Sequence, residues 1–359
     1  MRILFLGKRR YTNQDSLAQR FGRIRWLPLL WHQAGHSVHL VLLDYHGYRR
    51  EVSTDDGFTV QSLPAFRLDS VVHLSASAKA LQPDIVLASG DCFLGLLGQY
   101  LARRTGAKFV FDVYDDYSAF GAYRVFMGWD ALRFLCRCAD LVMYASRAIA
   151  DQHKFDSSWC VVPNGIDGTE FAPVPMSEAR AKLGLPESGR LVGYFGSMTG
   201  EHGVGVLIRA VQKLRIQQSD VRLLLCGKQH PSTPVTGEGV LYRGMVPHGM
   251  IPNYLNACDV LALPYLRGAF MDSASSCKIA EYLFCRRPIV ATRTPNFVQN
   301  FPEQARQLDA LLVPPGDADA LAGSIQRQLD DPVIAQPPDE MTWQEIASRL
   351  MAHLQRLFD

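Results

Sequence analysis

The chain has 359 residues, of which 48% are hydrophobic and 20% are charged, and its formal net charge is +2. This composition is typical of a globular protein and argues against a disordered chain. Because the length exceeds the size at which one hydrophobic core stops growing, we expect two domains. No segment approaches the roughly 20 apolar residues that cross a bilayer, and a strand is predicted to begin at Ile3. We therefore expect a cytoplasmic protein, and no nucleic-acid partner.

Short apolar strands alternate with amphipathic helices, which is the pattern of parallel sheets covered on both faces. The strands predicted in the first half are Ile3–Leu6, Ser37–Leu43, Thr59–Leu63, Ile85–Ala88, Phe109–Phe111, Leu141–Tyr144 and Cys160–Val162. The helices predicted there are Ser16–Ala34, Ser70–Leu81, Leu94–Arg104 and Trp129–Cys138. The later strands are Leu191–Phe195, Arg222–Cys226, Val240–Arg243, Val260–Ala262, Ile289–Ala291 and Ala310–Val313. The later helices are Val204–Gln217, Ile251–Ala257, Cys277–Phe284, Ala318–Leu329 and Trp343–Phe358.

These elements predict an α/β protein with two doubly wound, Rossmann-like domains. The first domain is placed at residues 1–166, a proline-containing linker at 167–188 and the second domain at 189–342. The last helix, within 343–359, is expected to join the first domain. Ligands of such sheets bind beyond the carboxyl ends of the strands, so we expect the active site in a central cleft that both domains face.

The segment from Ser273 to Thr292 is the most informative in the chain. It predicts a loop of small residues, a helix that carries Lys278 and Glu281, and a buried strand that begins after Pro288. A helix N-terminus preceded by small residues can bind an anion through its backbone N–H groups. Lys278 and Glu281 are three residues apart and project from one helical face. This pattern suits a nucleotide sugar, with the diphosphate at the cation and the ribose hydroxyls at the carboxylate. The alternative is an ordinary pair of solvated helix side chains.

Six segments, in order along the chain, resemble those of a known family. They are Gly35-His-Ser-Val38, Pro83-Asp-Ile-Val86, Val162-Pro-Asn-Gly-Ile-Asp167, Tyr194-Phe-Gly-Ser197, Ala257-Cys-Asp-Val-Leu-Ala-Leu-Pro264 and residues 276–292. In these segments the chain resembles the retaining glycosyltransferases of the GT-B fold, in glycosyltransferase family 4. The resemblance implies an acceptor-binding first domain and a second domain that binds a nucleotide-sugar donor.

The resemblance also implies a set of donor-binding positions, with three departures from the family. Relatives usually carry an Arg after the glycine turn and a Lys about five residues later, where this chain has Ser197 and His202. The first of two glutamates is replaced by Ser273, with Asp272 beside it. The implied donor-binding residues are Gly196, Ser197, His202, Val246, Arg267, Ser273, Ser276, Lys278 and Glu281. For Gly196, the alternative is a plain strand-to-helix turn.

With the usual Arg and Lys absent, we expect the phosphate charge to be met by Lys278, Arg267 and a protonated His202. A histidine carries full charge only below its pKa of about 6.5. This predicts weaker donor binding at pH 8 than at pH 6.5.

The acceptor side is predicted around an acidic and aromatic cluster that follows the strand Phe109–Phe111. Relatives often place a His-Asp pair there, and Tyr114 and Asp115 occupy those positions. Asp115 is the first candidate for the base or the acceptor contact, and Asp116 is the second. The alternative is a turn in which one aspartate caps backbone amides.

A basic loop at the start of the chain supplies further candidates for the acceptor side, and the helix after it is also basic. Arg9 and Arg10 lie just beyond the first strand, where relatives place a glycine-rich loop facing the donor. Arg20, Arg23 and Arg25 share the next helix with apolar and tryptophan residues. This mixture is suited to binding the anionic inner face of the cell membrane and a lipid-linked acceptor. A core helix with a solvated basic edge is the favoured alternative.

We therefore expect a retaining glycosyltransferase that moves a sugar from a nucleoside diphosphate sugar to a saccharide or lipid-linked acceptor, in polysaccharide or glycoconjugate biosynthesis. The sequence contains no cluster of metal ligands, and this fold usually neutralises the diphosphate with helix ends and cations. We expect activity without a metal or another cofactor. A sugar-nucleotide 2-epimerase and a non-catalytic nucleotide-sugar-binding protein are the alternatives.

Overall fold

The structure is a computed structural model that describes residues 1–11, 14–115, 117, 129–153, 155 and 157–359. It contains two compact units, the first formed by Met1–Gly165 and Trp343–Asp359 and the second by Ile166–Thr342. The final helix thus belongs to the first unit. Residues 167–188, predicted as a linker, belong to the second unit, where they include a short helix whose Arg180 is buried.

In the described part of the first unit, one sheet carries eight strands and a two-stranded hairpin lies beside it. The strands are β1 Arg2–Lys8, β2 Arg10–Tyr11, β3 Gln14–Asp15, β4 Ser37–Asp44, β5 Glu51–Asp55, β6 Phe58–Pro64, β7 Ile85–Ser89, β8 Lys108–Val113, β9 Leu141–Tyr144 and β10 Trp159–Val161. The helices are α1 Gly22–Gln33, α2 Leu68–Leu81, α3 Cys92–Thr105, α4 Ala131–Cys138, α5 Arg147–His153 and, from the C-terminus, α14 Trp343–Gln355.

The first sheet has the strand order β10-β9-β8-β7-β1-β4-β6-β5. All neighbours are parallel except β5, which pairs antiparallel with β6 at the edge. Strands β1 and β7 are central and almost wholly buried, as their apolar sequences require. The order of the strands reverses between them, and their carboxyl ends are therefore the expected ligand position in this sheet.

The second unit holds one sheet of six parallel strands in the described residues. The strands are β11 Arg190–Phe195, β12 Val221–Cys226, β13 Val240–Tyr242, β14 Val260–Leu263, β15 Ile289–Thr292 and β16 Leu312–Val313. The α-helices are α6 Met176–Lys182, α7 Val204–Arg215, α8 Ile251–Asn256, α9 Ala269–Ser273, α10 Cys277–Phe284, α11 Pro295–Val298, α12 Pro302–Gln307 and α13 Ala318–Asp330.

The second sheet has the order β13-β12-β11-β14-β15-β16, which is the doubly wound order of a dinucleotide-binding domain. Helices α7 and α13 pack on one another and help to bury the strands. The order of the strands reverses between β11 and β14. Ligands of this fold bind at such a reversal, beyond the carboxyl ends of the two strands.

Candidate active site

Glycines end the central strands of the second unit and allow their backbones to touch. Gly196 follows β11, and its N–H donates to the carbonyl of Cys226 at 2.8 Å. Gly227 follows β12, and its N–H donates to the carbonyl of Gly244 at 2.7 Å. A Cβ atom on Gly227 would collide with the carbonyl oxygen of Gly196. Gly227 was not among the predicted site residues, although a glycine directly after an apolar strand was the available signal.

Lys278 lies against Gly196. A Cβ atom on Gly196 would collide with Cε of Lys278 and would lie 2.7 Å from its Nζ. Gly196 also has a φ of +142°, a conformation that residues with side chains rarely adopt. The glycine therefore allows the half-buried ammonium of Lys278, from α10, to reach the end of β11. A positive charge thus lies at the point where the strand order reverses.

His202 lies next to this cation and is neutral at neutral pH. Its Nδ1 is 2.6 Å from Oγ1 of Thr199, and its ring packs edge to face on Tyr265 with the centroids 5.9 Å apart. Burial, and then the positive charge of Lys278, lower the pKa of His202 to about 4. The expectation that protonated His202 contributes positive charge at pH 6.5 is therefore wrong. The predicted difference in donor binding between pH 6.5 and pH 8 loses its basis.

Glu281 lies one turn further along α10 and is half-buried. Burial raises the pKa of its carboxyl, while His248 and Lys278 act in the opposite direction and Glu170 adds to the rise. The carboxyl is thus surrounded by charged groups of the same unit. A carboxylate in this position can accept hydrogen bonds from hydroxyl groups of a ligand.

Two of the predicted donor-binding side chains have partners within the protein. Arg267 forms an ion pair with Asp272, with 2.9 Å between Nε and Oδ2. Ser273 is buried, and its hydroxyl donates to the carbonyl oxygens of Ala269 and Phe270 within α9. Asp272 is thus held by Arg267.

The other three predicted donor-binding residues surround the same end of the sheet. Ser276 precedes α10, and its hydroxyl lies 3.2 Å from that of Tyr265, which follows β14. Ser197 is exposed, and its carbonyl accepts from the hydroxyl of Tyr194 at 2.7 Å. Val246 is half-buried beyond β13. The structure therefore brings Gly196, His202, Ser276 and Lys278 to one edge of the second sheet.

In the first unit, Arg23 is buried rather than displayed on a basic helix face. Its side chain is 3% exposed, and its Nη1 lies 2.7 Å from Oδ1 of Asp112, whose side chain is 0% exposed. Burial raises the pKa of the Asp112 carboxyl, and the charge of Arg23 opposes that rise. Asp112 was not among the predicted site residues. An aspartate that ends an apolar strand was the signal for it.

The neighbouring arginines of the predicted basic face are also paired. Arg25 is buried, with Nη2 2.9 Å from Oδ2 of Asp55. Arg20 forms ion pairs with Asp55, at 2.5 Å, and with Asp56. The apolar side of α1 packs on α14. The helix therefore does not present an array of unpaired arginines, and membrane contact through it stays a prediction.

Of the predicted acceptor-side residues, Tyr114 is buried and Asp115 is half-buried. The Tyr114 ring packs edge to face on Tyr11, with the centroids 4.7 Å apart, and burial raises its pKa well above the usual value. Asp115 follows directly, beyond the end of β8. Asp116 lies outside the described residues.

Arg9 and Arg10 differ in their surroundings. Arg9 is buried, and its guanidinium bonds to Asp15 at 3.0 Å, to Asp44 at 3.1 Å and to Glu51 at 2.6 Å. Three carboxylates therefore surround this cation, and they explain its burial. Arg10 is exposed in the hairpin of β2 and β3. A contact of either residue with the acceptor stays a prediction.

The described residues contain neither a candidate metal site nor a helix that could span a membrane. Among them, no group of three or more His, Cys, Asp or Glu side chains is arranged to hold a metal ion. None of the described helices has the length and apolar character needed to span a bilayer.

Solved structures share this architecture over the whole chain. Sucrose-phosphate synthase from Thermosynechococcus elongatus has a TM-score of 0.71 at 19% identity, over 100% of this chain and 99% of that one. HepE from Anabaena, solved in complex with UDP and glucose, has a TM-score of 0.71 at 15% identity, over 99% and 100% of the two chains. At these identities the likeness shows the fold.

Two family models match the chain, one in each unit. The model described as "Glycosyl transferase 4-like domain" matches residues 23–165, and the one described as "Glycosyl transferases group 1" matches residues 189–331. The chain is a glycosyltransferase of the GT-B fold. This confirms the fold class and the reaction class expected from the sequence.

Curated relatives of this glycosyltransferase carry related names. The chain is 27% identical over 311 residues to TuaC of Bacillus subtilis, named as a teichuronic acid biosynthesis glycosyltransferase. That match spans 82% of this chain and 72% of TuaC. It is 26% identical over 217 residues to the 2-deoxystreptamine glucosyltransferase of Streptomyces kanamyceticus, which is 55% of this chain and 54% of the relative.

Proposed function

We propose that this glycosyltransferase takes its sugar from a nucleoside diphosphate sugar bound at the carboxyl edge of the second unit's sheet. The observation that carries the proposal is the ammonium of Lys278, which lies against Gly196 where the strand order reverses. A cation beside a glycine turn and a helix N-terminus is suited to a diphosphate. The fold neighbour HepE, which was solved with UDP and glucose, supports this choice of donor class.

The other donor-side residues take distinct roles in this proposal. Glu281 accepts hydrogen bonds from the ribose hydroxyls, and Val246 lies beside the nucleobase. His202 acts as a neutral hydrogen-bonding group rather than a cation, because its pKa is lowered to about 4. The Thr199 hydroxyl at Nδ1 fixes the ring orientation, which leaves Nε2 for a phosphate oxygen.

The proposed reaction is a transfer with retention that needs no metal. The bond between the anomeric carbon and the phosphate oxygen breaks, and Lys278 with the end of α10 stabilises the charge that develops on the diphosphate. The acceptor hydroxyl oxygen bonds to the anomeric carbon on the same face. Its proton passes to the leaving phosphate oxygen or to the carboxylate of Asp115.

The acceptor class is proposed to be a saccharide or a lipid-linked saccharide of a polysaccharide pathway. The relative TuaC, named for the biosynthesis of teichuronic acid, supports this setting. We propose that the first unit binds this acceptor near Asp115, on the cytoplasmic side. Peripheral attachment to a membrane belongs to the same proposal.

A ligand panel tests the donor proposal. UDP, GDP and ADP are each added to the protein with chelator present, and the melting temperature is measured. A ligand that binds only the folded protein at 100 times its Kd stabilises it by about 2.7 kcal/mol. We expect one diphosphate to raise the melting temperature, and its sugars to release that diphosphate when an acceptor is present. No shift with any of the three would contradict the proposal, and an isomerised donor without release would indicate an epimerase.

A further inference from the structure

A buried arginine joins separate parts of the first unit at the carboxyl edge of its sheet. Nη1 of Arg23 donates to Oδ1 of Asp112 at 2.7 Å, and Nη2 donates to the carbonyl oxygen of Val162 at 2.6 Å. Nη2 and Nε also donate to Oδ1 of Asn164, at 3.1 and 3.2 Å. The guanidinium therefore ties α1 to the end of β8 and to the segment that follows β10.

Asp112 is held on its other side as well. Its Oδ2 accepts from the hydroxyl of Ser89, at the end of β7, at 2.6 Å. Its carbonyl oxygen accepts from the hydroxyl of Tyr117 at 3.3 Å. The guanidinium of Arg23 lies 5.9 Å from the ring centroid of Tyr114, which stands two residues after Asp112. The backbone that leads to Asp115 is thus fixed from both sides by buried groups.

Stability alone is a weak explanation for this arrangement. A buried ion pair costs a large desolvation energy, and apolar residues of similar volume can often replace it without loss of stability. The pair also lies at the carboxyl edge of the sheet, where this fold binds ligands, rather than in the middle of the core. The hydrogen bonds of the Arg23–Asp112 pair reach the ends of β7 and β8 and the segment after β10. The pair therefore fixes the positions of these three parts of the chain relative to one another.

We propose that Arg23 and Asp112 are positioning residues for glycosyl transfer. They hold the segment 112–115 in the arrangement in which Asp115 meets the acceptor hydroxyl. Neither residue touches the reacting atoms, and both act through that segment. The inference rests on the acceptor role proposed for Asp115.

The test is Arg23→Lys, with Arg180→Lys as the matched control. Lysine keeps a positive charge beside Asp112 but lacks the planar fork that also reaches Val162 and Asn164. The side chain of Arg180 is likewise 3% exposed and is paired with Asp259 at 2.7 Å. Asp259 precedes β14, so this pair lies at the opposite, amino-terminal edge of the second sheet. Both substitutions remove bonds of a buried guanidinium, and Arg23 is the one that bonds to Asp112.

Both variants are assayed for diphosphate release from UDP-glucose, GDP-mannose and ADP-glucose, offered separately with a panel of saccharide acceptors. Small misplacements in an active site can cost about 100-fold in rate, so we expect Arg23→Lys to lower kcat at least about tenfold. Its KM for the donor should stay within about twofold of the wild type, since donor binding belongs to the other unit. Arg180→Lys should keep kcat within about twofold. Equal kcat values for the two variants would overturn the inference.

Two further measurements keep the result decisive. If Arg23→Lys does not fold, Ser89→Ala is the second variant, because it removes only one hydrogen bond to Asp112. It should still lower kcat without changing the donor KM, and an unchanged kcat would refute the positioning role. If the wild type releases no diphosphate from any donor, the proposed function itself fails. Hydrogen exchange then tests whether Arg23 holds the segment 112–115 in place. Amides of 112–115 should exchange faster in Arg23→Lys than in Arg180→Lys, and equal rates would overturn the inference.

Discussion

His202 should make the second unit sensitive to acid, and His202→Gln should remove that sensitivity. The folded protein holds the ring neutral, with a pKa of about 4, because of burial and the charge of Lys278. An unfolded histidine has a pKa of about 6.5, so between these values the unfolded chain binds more protons than the folded one. The stability that the neutral ring provides is therefore complete above pH 6.5 and is lost as the pH falls toward 4.

The size of the effect follows from the two pKa values. Their separation of about 2.5 units corresponds to about 3.4 kcal/mol once the loss is complete. At pH 5.0 the loss is about 2 kcal/mol, while at pH 7.5 it is below about 0.1 kcal/mol. The wild type should thus lose about 2 kcal/mol more than His202→Gln between these two pH values.

The assay is urea unfolding at pH 7.5 and 5.0, followed by far-ultraviolet circular dichroism. Tryptophan fluorescence does not report on the second unit, because all five tryptophans lie in the first. Lys278→Met is a second test: it removes the neighbouring charge and should reduce the acid-induced loss in the wild-type background. Equal losses in the wild type and His202→Gln, to within about 0.5 kcal/mol, would refute the account of this histidine.

Two further substitutions test the proposed site. Gly196→Ala should weaken binding of the nucleoside diphosphate at least about tenfold in a calorimetric titration, because the new methyl group displaces Lys278 and the φ of +142° is strained. Gly200→Ala is its control, since the added carbon meets nothing within 4 Å apart from its own chain neighbours, and an equal loss in both would contradict the role of Gly196. Asp115→Asn should lower kcat about 100-fold and leave the melting-temperature shift with the diphosphate unchanged, and wild-type turnover would remove Asp115 from the site.

The sequence predicted the elements whose residues are strongly apolar. Helix Cys277–Phe284 has the predicted bounds, and both sheets are parallel at their centres, as their unbroken apolar strands indicated. Strand Glu51–Asp55 was not predicted, because it lies at a sheet edge and is mostly exposed. The first helix begins at Gly22 rather than Ser16. The amphipathic pattern of the residues from Ser16 onward suggested that the helix begins earlier.

The charges were harder to predict than the elements. Arg9 was predicted in a basic loop and Arg23 and Arg25 on a basic helix, and each is buried against carboxylates that lie at least six residues away in sequence. The pairings of Arg23 and Arg25 depend on the packing of a helix on distant strands, which a local pattern does not contain. The lowered pKa of His202 likewise follows from a tertiary neighbour, Lys278, and from burial.

The donor site around Lys278 is the central claim, and a calorimetric titration of the wild type and Lys278→Ala with UDP, GDP and ADP tests it most directly. Loss of a charge-assisted bond to phosphate costs about 1.5–3 kcal/mol, so the Kd of the diphosphate that the wild type binds should rise roughly 10- to 150-fold. Lys213→Ala is the matched control, because Lys213 lies on α7 and is paired with Asp319. It should bind like the wild type. A Kd for Lys278→Ala within about twofold of the wild type would contradict the account.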